Sequence, residues 1–390
     1  MLTAIRGHYD AVIAGGGIIG ASLASALARA GMRVAIVEQT CWGGGATAAA
    51  MGHLVVLDSS AAELALCRYA QLLWQELQPQ LPASAHYRAV GTLWIAEDEQ
   101  EMAEAERKFN RLTSHSVPAE IVSRQRLSQL EPHLRPDLAG GLLVPQDATL
   151  FPPVVAAHLL ADASQHGAVR ILKRKVVRMA SGEALLDDGQ HLTASRLILA
   201  TGADAPQLLP ALPIRKRKGH LAITDRYPDF IHHQIVELGY VKSASQLSAE
   251  SVACNVQPSP SGQLLIGSSR QLGVESPAVE AALLGRMLDR SLHFLPGLAQ
   301  LNVIRTWTGF RASTPDKLPF IGPWPCDPTL WVATGHEGLG ITTALATARL
   351  LTAALTDQPP AIDPTPYLPE RLPPGTFTSN HSHPSLPETI

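Results

Sequence analysis

Three glycines in the stretch DAVIAGGGIIG, namely Gly15, Gly17 and Gly20, carry the spacing G-x-G-x-x-G. An acid, Glu38, follows about 20 residues on, where a dinucleotide fold places the carboxylate that accepts hydrogen bonds from a ribose. The combination suits the gripping of a dinucleotide. Gly15 permits a tight turn, Gly17 lets backbone amides approach a pyrophosphate, and Gly20 lets a helix pack close to its strand. The helix start then faces the diphosphate with unpaired N–H groups and the positive end of its dipole. Two later segments repeat the theme: Thr201-Gly202-Ala203, and the turn 335–340 within LWVATGHEGLGITTALATARLL. Each brings bare backbone to the carboxyl end of a strand, the edge at which open α/β sheets bind ligands.

Two other readings compete for the first stretch. Residues 11–28 are uncharged, as in a membrane span, but consecutive glycines at mid-span are poor helix formers. An ordinary βαβ turn explains the glycines alone and leaves strand, turn, helix, strand and acid in that order a coincidence.

The elements that must position these residues follow from periodicity. Residues 10–14 form a buried strand, 21–30 a small-residue helix stopped by Gly31, and 32–37 a second parallel strand ending at Glu38. The run 43–54, GGGATAAAMGHL, is too poor in side chains to build a core and reads as backbone lying against something flat and large. Amphipathic helices are expected over 63–77 and 97–112, a strand and short helix over 119–131, a strand over 140–145 and a helix over 153–166. A β-meander covers 171–179, 184–186 and 191–192; a separate strand covers 196–200. Residues 212–310 alternate in β fashion around one helix, 277–294, and a final helix spans 341–355. Glycine-rich strand ends interrupted by two stretches of different character imply two interleaved domains. The nucleotide-binding domain takes 1–82, 146–205 and 315–365, the second domain 83–145 and 206–314, and a Pro-rich tail 366–390. The fold class is α/β: a Rossmann-like domain interleaved with an α+β domain on an antiparallel or mixed sheet.

Composition sets bounds. The chain has 390 residues, 46% hydrophobic and 17% charged, with a net charge of −3. Two globular domains fit that length, and the absence of a basic stripe with interleaved aromatics disfavours nucleic acid as partner. No signal or transmembrane segment is expected. Four scattered cysteines, Cys41, Cys67, Cys254 and Cys326, suit a reducing cytoplasm better than a disulfide framework. The 15 histidines form no HxxxH or HExxH pattern, so no metal is expected.

The N-terminal βαβ with Glu38, the segment GATAAAMGHL, the strand end ATGA, and the pair TWTGFRASTPDKLPFIG and TGHEGLGIT resemble the D-amino-acid oxidase (DAO) superfamily of FAD-dependent amine oxidoreductases. Within it the chain resembles glycine oxidases and β-type subunits of sarcosine oxidase. MGHLVV, VQPSPSGQLLIGSS and GHEGLGITTALATARLL are similar to the β subunits of D-hydroxyproline dehydrogenases and opine oxidases. The resemblance implies FAD, oxidation of the C–N bond of a small amino acid or secondary amine acid with hydride transfer to flavin N5, and a carboxylate-bearing substrate. It also admits a flavin subunit that passes electrons to partner chains carrying flavin or an iron–sulfur cluster.

On the family pattern Glu38 would hold the adenosine ribose, and the backbone of Val176 or Val177 would meet the adenine. Ala46, Thr47, Gly52 and His53 would line the flavin, with Thr201 and Gly202 nearby. Gly338, Leu339, Gly340 and Ile341 would aim N–H groups at its pyrimidine edge, favouring the negative charge that develops there on reduction. Arg311, in WTGFR, stands where amino-acid oxidases of the family grip the substrate carboxylate in a bidentate fork; the alternative is a domain-boundary salt bridge. His53 and Glu337 are ionisable where relatives are less so, and either touch flavin and substrate in a catalytic role or form a satisfied pair. The arginine that glycine oxidases place after the TGH-type motif is replaced here by Glu337-Gly338-Leu339. The cysteine that holds flavin covalently in sarcosine oxidases is missing, its place falling near Gly309, so FAD is expected to be noncovalent.

Overall fold

The structure, a computed structural model, describes residues 8–239 and 250–371. Parts of the expected first and second domains and of the tail (1–7, 240–249 and 372–390) lie outside the described residues. The chain opens with β1 (His8–Ala14), α1 (Ile18–Arg29), β2 (Val34–Glu38), α2 (Gly45–Ala49), β3 (His53–Leu54) and α3 (Ala61–Leu77). Next come β4 (Thr92–Ala96), α4 (Glu99–Ser114), β5 (Glu120–Ser123), α5 (Arg124–Leu130), β6 (Gly140–Val144), β7 (Ala148–Thr149) and α6 (Pro152–Gln165). A strand-rich stretch holds β8 (Val169–Leu172), β9 (Val176–Ala180), β10 (Glu183–Leu186), β11 (His191–Leu199), β12 (Arg215–Arg226), β13 (Gln234–Glu237), β14 (Glu250–Pro258) and β15 (Gln263–Leu272). The described chain closes with α7 (Ala281–Phe294), β16 (Val303–Ser313), β17 (Phe320–Trp324), β18 (Asp327–Thr334) and α8 (Gly340–Leu355).

Two large sheets result. In the first the order is β17-β18-β11-β1-β2-β8, with β10 joining β11 to β9. The ladders β11–β1, β1–β2, β2–β8 and β11–β18 are parallel, whereas β17–β18 and the β9–β10–β11 meander are antiparallel. β1 is buried on both faces, as a central parallel strand must be. Ala11 and Ile13 pack toward α1, α6 and α8, while Val12 and Ala14 pack toward the meander, the alternation a strand imposes. The second sheet runs β16-β12-β15-β14-β13-β4-β6-β5 and is antiparallel except at β13–β4. α7 covers one of its faces through Met287 and Phe294, and α3 and α4 pack on the other through Leu64, Cys67 and Ala105. The expected fold class holds: a Rossmann-type sheet and a mixed second sheet, built from alternating stretches of chain.

Some boundaries differ from expectation, for local reasons. The strand expected over 171–179 is broken at Lys173, whose φ of 62° turns the chain out of β8, so that β8 extends the parallel sheet and β9 starts the meander. Residues 191–192 and 196–200 are not separate strands but one, β11, held in continuous parallel register with β1 from His8↔Thr193 to Ala14↔Leu199. The helix expected from 277 begins at Ala281, after Glu280, an extended N-cap (φ −93°, ψ 108°) whose N–H donates to His220 Nε2 at 3.0 Å. The start of the tail is anchored: Tyr367 is buried and its hydroxyl donates to the Ala62 carbonyl at 2.7 Å.

Candidate functional site

One cavity of about 490 Å³ lies between the two sheets, lined from Glu38 and Lys175 at one end to His53, Asn255 and Arg311 at the other. Its first wall is the β1–α1 turn. Gly15 has φ 106°, and a Cβ there would stand 2.5 Å from the Ala200 carbonyl oxygen, so only glycine lets the ends of β1 and β11 come this close. Gly20 does not line the cavity; it closes the turn, since a Cβ would meet the Gly15 carbonyl oxygen at 1.9 Å. Gly17 is the N-cap of α1 and offers no side chain, and Thr47 Oγ1 accepts from the Ile18 N–H at 3.0 Å. The remaining amides and the helix dipole suit an anion. Glu38 is fixed by its neighbours: Oε2 accepts from the Gly16 N–H at 2.8 Å and Oε1 from the Thr40 N–H at 2.7 Å.

The small-residue run becomes the floor. Residues 45–49 fold as α2, and Ala46, Thr47, Ala49, Ala50, Met51, Gly52 and His53 all line the cavity. Gly52, at φ 91°, is forced by a Leu150 carbonyl oxygen 1.9 Å from where its Cβ would be. Thr201 and Gly202 line the opposite wall, with Gly202's carbonyl accepting from Thr334 Oγ1 at 3.0 Å. Gly338, Gly340 and Ile341, at the start of α8, complete it.

Of the two residues expected by backbone at the adenine, Val176 lines the cavity, while the side chain of Val177 points outward, 45% exposed, because successive strand residues face opposite sides. The Leu339 N–H, expected to face the cavity, instead donates to the His336 carbonyl at 2.8 Å, and its side chain packs among apolar residues that include Leu64 and Cys67.

At the far end Arg311 extends from β16 across β12, passing over Gly219, and its Nη1 donates to the Ser269 carbonyl at 3.1 Å. That carbonyl is available because the His220 N–H bonds the Ser269 hydroxyl instead, at 2.8 Å, where the β12–β15 register shifts. His220 Nδ1 also bonds that hydroxyl, at 2.9 Å. Glu337, at φ 50°, bridges by backbone to Ala312. Its carboxylate pairs with Arg217 at 3.2 Å and accepts from the Ser313 hydroxyl. His53 Nδ1 accepts from Gln234 Nε2 at 2.8 Å, which puts the ring proton on Nε2. Burial pushes the His53 pKa down to about 3, with the Gln257 amide opposing and the Arg311 charge adding to the fall, so the ring is neutral at pH 7. His336, also on the cavity wall, is pushed by burial to about 3 and bonds Thr347 Oγ1 at 2.9 Å.

Sequence reasoning thus reached both ends of the cavity wall, but did not single out the wall residues Asn255, Ser268 and His336, nor Gln234, which bonds His53, and Gln257, which donates to the Met51 carbonyl. The available signal was alternation: Asn255 and Gln257 are polar residues two apart on an otherwise apolar strand, ACNVQP. Among the described residues no cluster of His, Cys, Asp or Glu could hold a metal, and no helix is long and apolar enough to cross a membrane.

The donor set fits FAD. Bare amides and a helix N-terminus stand beside a fixed carboxylate at one end, and a second helix N-terminus, α8, meets the cavity near the other. Similarity to known proteins points the same way. The chain is 28% identical over 375 residues to a glycine oxidase of Geobacillus kaustophilus, covering 92% of this chain and 96% of that one. The crystal structure of glycine oxidase from Geobacillus kaustophilus superposes with a TM-score of 0.83 at 26% identity, covering 93% of this chain and 98% of that one. One of the subunits of an opine oxidase from Rhizobium meliloti is 23% identical over 352 residues, covering 85% of this chain and 90% of that one. Residues 10–354 match the DAO model, described as FAD dependent oxidoreductase, and the chain belongs to that family.

Proposed function

We propose that this FAD-dependent oxidoreductase oxidises the C–N bond of a small amino acid or secondary amine acid, with Arg311 holding the substrate carboxylate. FAD, when bound, would supply the two-electron acceptor that the oxidation needs. The chain's own residues do the rest. Glu38 would hold the ribose, Gly15, Gly17 and α1 the diphosphate, Val176 the adenine edge, and the start of α8 the pyrimidine edge. The guanidinium matches a carboxylate in geometry and charge and so orients the Cα–H. His53, neutral and with Nδ1 occupied by Gln234, does not serve as a base through that nitrogen; its Nε2–H is a donor at the cavity wall. Glu337 is committed to Arg217 and Ser313, so it balances a cation rather than shuttling a proton.

The observation that carries this reading is a guanidinium on the cavity wall opposite the small-residue floor, in a chain related along most of its length to glycine oxidases. No cysteine lines the cavity among the described residues, which supports noncovalent FAD. The division of the chain into a nucleotide half and a substrate half is part of the same proposal, supported by the two sheets. The test is anaerobic titration of the purified yellow protein with glycine, sarcosine, D-proline, D-hydroxyproline and an opine: bleaching by at least one supports the reading, and bleaching by none contradicts it. A second reading, one flavin-bearing chain of a larger dehydrogenase, draws on the likeness to the Rhizobium meliloti opine oxidase chain. It predicts bleaching by substrate with turnover only toward an artificial acceptor or partner chain, and little hydrogen peroxide.

A further inference from the structure

Four residues lining the cavity carry buried polar atoms that nothing among the described residues satisfies, His53 Nε2, Thr201 Oγ1, Asn255 Oδ1 and Ser268 Oγ, and the last two stand on the sheet that carries Arg311. Asn255 and Ser268 are only 7% and 4% exposed. They are neighbours across the β14–β15 ladder, where Asn255 pairs with Gly267, the residue before Ser268. Ser268 in turn precedes Ser269, whose carbonyl holds the Arg311 guanidinium. The pair therefore sits on the sheet that carries the arginine, away from the β1–α1 turn that suits the diphosphate.

Leaving such atoms buried and unpaired is costly, and a site that keeps them is built for a ligand that pairs them. Resting on the function proposed above, we propose that Asn255 and Ser268 form a hydroxyl-recognising subsite, so that the preferred substrate is a carboxylate-bearing amine with a hydroxyl on its side chain. A hydroxyl donates to the carboxamide oxygen and accepts from the serine hydroxyl, satisfying both atoms at once. A second carboxylate has no proton for Oδ1. A hydrogen or methyl group leaves both atoms unpaired. Glycine, sarcosine and alanine then fit the arginine and fail the subsite.

The holoenzyme is tested with substrate pairs that differ by one hydroxyl, serine against alanine and 4-hydroxyproline against proline, each in both enantiomers, reading kcat/KM for flavin reduction. Binding is read separately by calorimetry with two unreactive acids, 3-hydroxybutyrate and butyrate. The hydroxylated member is expected to lead by roughly 10-fold or more in at least one pair and in binding, and Asn255→Leu and Ser268→Ala should bring each ratio toward one. Ratios near one in the wild type would overturn the subsite while substrate oxidation still stood. Hydroxyl-dependent binding with no flavin reduction by any amine acid would uphold the subsite and sink the oxidation reading. Loss by the same factor on both members of a pair would assign these atoms to the amine, and weakened FAD retention with unchanged ratios would assign them to the cofactor; either overturns the proposal.

Discussion

Gly219 lies under the guanidinium of Arg311: a Cβ at this position would come within 2.6 Å of Nη1. The glycine is in strand β12, directly in the path by which Arg311 reaches from β16 to the Ser269 carbonyl. The obstructed atom is the end of a flexible side chain and not backbone. Gly219→Ala should therefore fold and bind FAD while displacing the guanidinium by a fraction of an ångström or more. Misplacement on the scale of 1 Å costs roughly 100-fold in rate, so kcat/KM for the best substrate should fall about 10–100-fold with flavin content unchanged. A wild-type kcat/KM would show that the arginine's position is unimportant.

The Ser269 hydroxyl gives a companion prediction. Removing it in Ser269→Ala leaves the His220 N–H without its acceptor and lets the strand re-pair through the carbonyl that Arg311 uses. KM for a carboxylate substrate should rise more than kcat falls, by about 10-fold, the size of one lost hydrogen bond of about 1.4 kcal/mol. Equal changes for a substrate and its decarboxylated analogue would indicate general loosening instead.

Gly20→Ala tests the nucleotide turn. Its Cβ would overlap the Gly15 carbonyl oxygen at 1.9 Å, and backbone has no easy retreat. The turn must open, at a cost on the order of 1–3 kcal/mol, and the diphosphate amides move with it. The protein should emerge from desalting with a lower ratio of 450 to 280 nm absorbance than wild type; full flavin retention would count against the turn's role.

Stability against pH carries two opposite signatures. Burial raises the Asp147 carboxyl to about 7, against hydrogen bonds from Thr92 and Val56 and the Lys108 charge. Between its unfolded value near 3.8 and about 7, the folded state holds the extra proton, so this group's stabilisation is lost as pH rises through that window. Asp147→Asn should therefore gain in melting temperature relative to wild type as pH is raised from 4 toward 7. His53 behaves inversely. Its value falls from 6.5 to about 3, so its neutral form stabilises above 6.5 and that contribution is lost as pH drops toward 3. His53→Gln should thus gain relative to wild type on acidification. Melting curves at several pH values check both signs, and flat differences would contradict them.

How much of this was readable from sequence depended on whether backbone or side chains set the constraint. Gly15 and Gly20 stand where a carbonyl oxygen comes within 2.5 Å of the missing Cβ, a demand on backbone that their spacing reveals, whereas Gly52, equally crowded, was reached only through the resemblance. Which of Val176 and Val177 faces the cavity was open in the sequence, because Lys173 adopts a left-handed turn before β9 and a one-residue offset exchanges the faces of a strand. Leu339 was placed on the cavity with its neighbours, yet as N-cap of α8 it points to the apolar layer behind. Ser268 lies within the stretch VQPSPSGQLLIGSS and Asn255 just before it, but the resemblance of that stretch assigned neither residue a role. They become neighbours across the sheet only because β14 and β15 pair in a particular register, which periodicity does not specify.

The role of Arg311 rests on its charge, and one comparison isolates it. Flavin reduction under anaerobic stopped-flow is followed for wild type and Arg311→Ala with an amine acid and with the same amine lacking its carboxylate, proline and pyrrolidine being one such pair. A charge-assisted, bidentate grip predicts that wild type favours the acid by roughly 100-fold or more and that Arg311→Ala abolishes the preference. An undiminished preference in Arg311→Ala would contradict the assignment of this arginine to the substrate carboxylate.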